Sequence, residues 1–313
     1  MADLWFHQAT SRCSDWPLGR VLEAKQASAL TVSVVIPARD EAATVGAIVE
    51  RIVAELAAPG VVDEVVVMDS DSRDGTGHIA AKAGARVHRT MAVAPEAGWF
   101  PGKGEALWKS LFVTRGDVLV FVDADLTVWS SRFVVGLLGP LLTRPETLLV
   151  KAFYRRLSAP GGGDRGGRVT ELMARPMLNL LWPELATVVQ PLAGEWAVRR
   201  SLLETLPIPV GYGVELACLL DTYQRHGLTA LAQVDLGARG HRQRPVEELG
   251  VMAAELLAVV HRRRAWSRTG ALTPLLRQFD SDAGWTARAV PTMERSPARS
   301  EPAYYRGEAS NAC

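Results

Sequence analysis

The segment 118–125, VLVFVDAD, limits the fold more than any other stretch of this chain. Five apolar residues in a row, with no polar alternation, read as a short strand that water reaches from neither face. Such a strand needs a layer above and a layer below. It ends in two carboxylates, Asp123 and Asp125, separated by Ala124. Alternation along an extended chain places both carboxylates on one side and turns Ala124 away. Two carboxylates sharing a face repel unless a cation lies between them or they do different work. In an open α/β sheet, ligands bind at that end of the strand. The pair therefore reads as an oxygen-ligand site for Mg²⁺ or Mn²⁺ and a phosphorylated substrate. The plain alternative is a strand exit in which Asp forms the turn.

The rest of the chain supplies the layers. Strands are expected at 30–36, 64–68, 86–88, 147–154 and 230–236. Helices are expected at 42–56, 77–83, 105–114, 134–142, 169–181, 213–226 and 247–263. This rhythm predicts an α/β fold: a Rossmann-like, mostly parallel sheet with helices on both faces. Residues 1–28 show no regular period and read as an arm. Residues 29–155 form the nucleotide-binding half and 156–280 a second part. From residue 281 the chain is rich in Pro, Ser, Arg and Ala and reads as a flexible tail ending at 313.

Charge narrows the function. Lys and Arg number 35 against 34 Asp and Glu, and this balance argues against a dedicated nucleic-acid binder. Cys13, Cys218 and Cys313 stand far apart, which fits a reducing compartment and no disulfide framework. The N-terminus lacks an apolar signal core, and no apolar run has the length of a membrane span. The expectation is a cytoplasmic protein without a membrane partner.

Several segments carry possible chemistry, each with a plainer rival. In 69–76, DSDSRDGT, Asp69 and Asp71 have the spacing of a calcium loop, but Arg73 and Ala80 break it. A nucleotide-contact loop at a helix start fits, and so does simple capping by Asp74 or Ser72. The run Gly102-Lys-Gly-Glu105 superficially resembles a P-loop, yet the glycine spacing is wrong and Gly104 stands where Ser or Thr belongs. Lys103 between glycines at a helix start still suits an anion; the rival is a solvated lysine in a turn. The glycine-rich stretch 158–168 ends in Gly167 and Arg168, with Thr170 close behind, and suits either a soluble phosphate or a linker. His241 lies among Arg242 and Arg244 after a strand. A lone His is more often structural, but the Asp123/Asp125 cation needs a further protein ligand. Glu215 opens a helix and could hold sugar hydroxyls or only answer the helix dipole; Tyr212 could stack or pack. There is no nucleophile elbow, and GxGxxG is missing after the first strand.

In order, the chain reads VVIPARDE, MDSDSRDGT, PGKGEALWKSL, VFVDADL, GGRVTEL, QPLAGEWAVRR, GYGVEL and GARGHRQRPVEELG. This ordered set, over roughly residues 15–263, resembles the glucosyl-3-phosphoglycerate synthases and their mannosyl relatives, retaining glycosyltransferases of the GT-A fold. The resemblance implies that 29–155 binds a nucleotide-sugar and that 156–280 binds the acceptor and completes the metal site. It implies that Pro37, Ala38, Arg39, Glu41 and Ser70 line the base and ribose pocket, with Ala124 beside them. Lys103, Tyr212 and Arg244 would meet the donor, and Asp123 its ribose or sugar side. Asp125 and His241 would hold Mg²⁺ or Mn²⁺. Gly167, Arg168 and Thr170 would bind the phosphate of 3-phosphoglycerate, with Gln243 near that acceptor. Leu192 would offer its backbone at the transfer centre and Glu215 would hold the sugar. A homodimer is implied too.

The chain departs from the family pattern as Arg39, Asp40, Ala124 and Gln243. The donor sugar could be glucose on UDP or GDP, or mannose on GDP. Rival readings are a polyprenyl-phosphate sugar transferase, which needs a membrane-facing site, a sugar-nucleotide binder without turnover, and a nucleotidyltransferase.

Overall fold

The computed structural model describes residues 2–157, 167–240, 246–264, 275–280 and 284–309. The chain begins with α1 (Ala2–Ala9), β1 (Thr10–Arg12) and α2 (Leu18–Ser28). The first half of the chain continues as β2 (Val32–Ala38), α3 (Val45–Ile52), β3 (Glu64–Asp69), α4 (Thr76–Lys82), β4 (Arg86–Arg89), α5 (Lys103–Ser110) and β5 (Val118–Phe121). The second half runs α6 (Arg132–Thr143), β6 (Leu149–Leu157), α7 (Arg175–Leu181), β7 (Trp196–Arg199), α8 (Arg200–Leu203), β8 (Ile208–Pro209), α9 (Val214–His226), β9 (Leu231–Gly240) and α10 (Val246–Arg264). Last come β10 (Leu275–Asp280), β11 (Gly284–Ala289), β12 (Glu294–Arg295) and α11 (Pro302–Ala309).

Eight strands form one sheet in the order β1-β9-β6-β7-β5-β2-β3-β4. All pairs are parallel except those of β7, which runs antiparallel between β5 and β6. This is the mostly parallel α/β sheet expected. β2 and β5 lie near its centre, and Val34, Val35, Val120 and Phe121 are wholly buried, as the unbroken apolar runs require. Where β7 enters, Trp196 lies opposite Phe121 in register, with ring centroids 4.5 Å apart. Cross-strand aromatic pairs of this kind add about 0.5–1.5 kcal/mol beyond burial. WAVR is too short for periodicity to reveal it as a strand.

The two ends differ from expectation. The N-terminal arm is structured, and β1 extends the sheet edge by pairing Thr10 with Gln233 of β9. Trp5 Nε1 donates to the carbonyl of Leu231 at 3.1 Å, and Trp16 is buried against the core. Among the described residues 284–309 the chain is docked rather than loose: β12 pairs with β8, and Tyr304 Oη donates to Glu204. Single anchoring side chains hold both ends, and these leave no periodic trace in a sequence.

Candidate functional site

From β2 the chain passes outward to β3, and only later returns to the other flank of β2 as β5. A crevice opens at the carboxyl ends of strands where their order reverses in this way. The cleft there holds about 460 Å³. Past the ends of β2 and β3 it is lined by Pro37, Ala38, Arg39, Glu41 and Ser70. Lys103, Asp123, Ala124 and Asp125 form the floor. Gly167, Arg168, Thr170 and Leu192 close one end, and Tyr212 and Glu215 another. Fifteen expected positions thus meet in one place. His241, Gln243 and Arg244 lie outside the described residues, as does 158–166 of the glycine-rich stretch.

The carboxylates do not reach the cleft by strand pleat. β5 stops at Phe121 and a turn carries residues 123–125, so Ala124, expected to face away, also lines the cleft. The Thr44 hydroxyl pins that turn by donating to the carbonyl of Ala124 at 2.6 Å.

The floor is a line of alternating charges. Lys103 Nζ donates to Asp123 Oδ1 at 2.6 Å and lies 2.8 Å from Glu215 Oε1. Arg239 Nη2 donates to Asp123 Oδ2 at 2.6 Å and sits 3.0 Å from Glu195 and 3.6 Å from Asp125. Burial would push the Asp123 carboxyl up, but Lys103 and Arg239 outweigh it and hold that group well below the usual carboxylate range. Burial likewise opposes the Lys103 ammonium, and Asp123 and Glu215 reverse the effect, so its pKa lies above the ordinary lysine value. Glu195, wholly buried, has its carboxyl pushed up by burial despite Arg239.

Both oxygens of Asp123 are thus taken by nitrogen donors. Asp125, more exposed and lining the same floor, is the carboxylate placed for a cation. One protein carboxylate supplemented by substrate phosphates suits Mg²⁺ or Mn²⁺, which seldom use all-protein cages. Among the described residues no three His, Cys, Asp or Glu side chains gather as a ready metal group. The donor chemistry fits a cation held jointly with a ligand.

Two expectations change in detail. Lys103 does begin α5, but the N–H groups of Gly104 and Glu105 donate to the carbonyls of Gly211 and Val210 at 3.1 and 2.9 Å. They are spent on protein, so Lys103 acts by its side chain alone. The glycine at 104 serves close packing, since a Cβ there would overlap the carbonyl of Pro209. In the 69–76 loop, Asp74 accepts from Thr76 and Ala42 backbone N–H groups at 3.0 Å, and Asp69 accepts from Ser72 N at 2.9 Å. These acids build the turn, and Ser70 is left to face the cleft. Asp40, with φ of 54°, accepts from Arg73 N at 2.8 Å, a task its side-chain oxygen performs as well as an asparagine's would.

Sequence reasoning missed Arg239, Glu195, Tyr154, Arg156 and Glu255. Arg239 lies near the end of β9, two residues before the His241 that the sequence singled out. Tyr154 lies 5.1 Å beneath its guanidinium, and Arg156 adds a second cation to the cleft wall. Nothing in the sequence marks Glu195 or Glu255.

Two predictions arise here. A Cβ on Gly194 would overlap the Asp123 carboxylate. Gly194→Ala should therefore displace Asp123 and lower turnover sharply while costing about 1–3 kcal/mol of stability; wild-type turnover from a folded variant would refute it. Glu255, buried on α10, accepts from the backbone N–H of Tyr212, and burial pushes its carboxyl up to about 7. The folded state then holds a proton that the unfolded chain releases near pH 4.3. Stability should fall as pH rises between that value and about 7, and Glu255→Gln should flatten this slope in thermal melts.

Comparison with known proteins adds three findings. The model of glycosyl transferase family 2 matches residues 33–204. A glucosyl-3-phosphoglycerate synthase of Mycolicibacterium smegmatis is 51% identical over 273 residues, covering 86% of this chain and 89% of that protein. Two crystal structures of glucosyl-3-phosphoglycerate synthase from Mycobacterium tuberculosis superpose on it. One, with Mn²⁺, UDP-glucose and phosphoglyceric acid, has a TM-score of 0.81 at 44% identity, covering 91% of this chain and 95% of the other. The other, with Mg²⁺ and UDP, has a TM-score of 0.83 at 43% identity, covering 93% and 98%.

Proposed function

The chain belongs to the glucosyl-3-phosphoglycerate synthases of glycosyl transferase family 2, and from that membership we propose that it transfers glucose from UDP-glucose to the 2-hydroxyl of 3-phosphoglycerate with retention at the anomeric carbon. One observation carries the reading: a single cleft holds both the Lys103–Asp123–Asp125 floor and a wall with Arg156, Arg168 and Thr170. A nucleotide-sugar and a small phosphorylated acid need those two neighbourhoods side by side. UDP is preferred to GDP, and glucose to mannose, because the M. tuberculosis structure was solved with UDP-glucose.

Pro37, Ala38, Arg39, Glu41 and Ser70 hold the base and ribose, with Asp123 oriented by Lys103 and Arg239. Glu215 and Tyr212 grip the sugar, and Arg168, Thr170 and Gly167 the acceptor phosphate. Asp125, with His241, would hold Mg²⁺ or Mn²⁺. The bound ion would supply Lewis-acid stabilisation of charge on the departing diphosphate. As the anomeric C–O bond to phosphate breaks, negative charge grows on the β-phosphate, and the Lys103 ammonium lies in the floor to meet it. The acceptor hydroxyl attacks from the same face, and its proton passes to the departing phosphate oxygen. Leu192 presents its backbone beside this exchange. A homodimer and a cytoplasmic location belong to the same reading, and sedimentation tests the first.

The test is nucleoside diphosphate release from UDP-glucose, GDP-glucose and GDP-mannose, with and without 3-phosphoglycerate, in Mg²⁺ or Mn²⁺. Release from UDP-glucose that needs both acceptor and metal, and yields an α-linked product, is expected. Preference for another donor corrects the substrate, and an inverted product corrects the stereochemistry. No acceptor-dependent release from any donor removes the assignment.

A further inference from the structure

The C-terminal segment reaches the cleft at Pro291, and behind the cleft wall it is anchored by one guanidinium. Arg295 Nε and Nη2 donate to the two oxygens of Glu105 at 2.8 and 2.7 Å. Its Nη1 donates to the carbonyl of Ala97 at 2.5 Å, and Nη2 also to that of Gly98 at 3.1 Å. The same group lies 4.7 Å from the ring of Phe100 and 4.6 Å from that of Trp108. Trp108 Nε1 in turn donates to the carbonyl of Ser296 at 2.9 Å. A planar fork that satisfies one carboxylate at two points and two carbonyls besides cannot be replaced by an ammonium.

These contacts lead to the cleft from two directions. Residues 97–102 run from the Arg295-bound carbonyls directly into the cleft wall and then into Lys103. Glu105, wholly buried, is two residues past Lys103 on the same helix turn. On the other flank, the backbone of β12 pairs with β8, and β8 leads into Val210 and Gly211, whose carbonyls receive the first N–H groups of α5. Beyond them stand Tyr212 and Glu215. Arg295 therefore ties together both approaches to the Lys103–Glu215 pair, although no part of it need touch a ligand.

We propose that Arg295 is a positioning residue for the nucleotide-sugar, fixing residues 97–103 against the 210–215 segment so that Lys103 meets the donor diphosphate. The identity of the donor rests on the function proposed above, but the geometric argument does not depend on the acceptor. A displacement of about 1 Å at such a site can cost up to 10²-fold in rate.

The experiment compares Arg295→Lys with Tyr304→Phe, which removes a hydrogen bond from the same segment remote from the cleft. Three quantities are read in the full chain: UDP affinity by calorimetry in Mn²⁺, the two Michaelis constants, and Tm. Arg295→Lys should weaken UDP binding and raise the donor KM about tenfold, leaving the acceptor KM unchanged. Tyr304→Phe should lower Tm and leave both constants unchanged. A second variant, Arg295→Met, removes the fork while Glu105 keeps the buried Lys109 ammonium 3.7 Å away, and it should give the same donor defect. Arg295 variants that lower Tm with donor affinity unchanged, or that raise both constants alike, would overturn the proposal. If the wild type turns over no substrate, the assigned reaction fails. The UDP titration still decides the role of Arg295.

Discussion

Asp125→Ala is expected to lower kcat by about 10²–10³-fold, the loss that follows removal of one element of transition-state charge stabilisation. The variant should fold, because Asp125 stands on a partly exposed turn outside the hydrophobic core. Asp123 is expected to behave differently, since both of its oxygens are held by Lys103 and Arg239. Calorimetry gives a reading that needs no turnover. Mn²⁺ should strengthen UDP binding by the wild type and cease to do so in Asp125→Ala. If the metal still strengthens binding in the variant, the cation is held elsewhere and the assignment of Asp125 is wrong.

The largest effect on stability is expected at Arg239. Its guanidinium is almost wholly buried and lies between Asp123 and Glu195. Burial disfavours its charge, yet Glu195, Tyr154 and Asp123 together hold its pKa above the ordinary arginine value. Arg239→Met would leave the buried Glu195 carboxyl without the cation 3.0 Å away, a defect that costs about 3–5 kcal/mol. Urea unfolding would measure it. Adding Glu195→Gln should recover much of the loss, because the double variant no longer buries an uncompensated charge. A single variant within about 0.5 kcal/mol of wild type would show that water or another cation already serves Glu195.

The elements legible in the sequence were those with long apolar periods. β2, β3 and β5 are Val-rich, largely apolar runs, and each lies close to where its pattern places it. The site was legible for a related reason: most of its residues follow such strands directly, so locating the strand locates the loop. Arg239 and Glu195 escaped because they work across the sheet, 44 residues apart in sequence, and only pairing of β6 with β7 and β9 brings them together. Arg295 escaped more completely. Its segment has the composition of a loose tail, and one guanidinium with buried partners outweighs that composition. Glu105 gave no warning either, since a glutamate in the first turn of a helix is expected there for dipole reasons alone.

The edge strand at the N-terminus has a consequence for synthesis. Thr10 pairs with Gln233, and the Gln233 side chain donates to the Thr10 hydroxyl across 223 residues. On a ribosome moving at about 5–20 residues per second, the first 12 residues wait roughly 10–45 s for their partner. During that time Trp5 lacks the Leu231 carbonyl that its indole N–H bonds, while the sheet around β2, β3 and β5 can already form. The arm is thus the last piece of the sheet to be laid although it leaves the tunnel before the other strands. Nascent chains halted before residue 231 should expose the Trp5 indole to quenchers, and chains released after residue 240 should bury it.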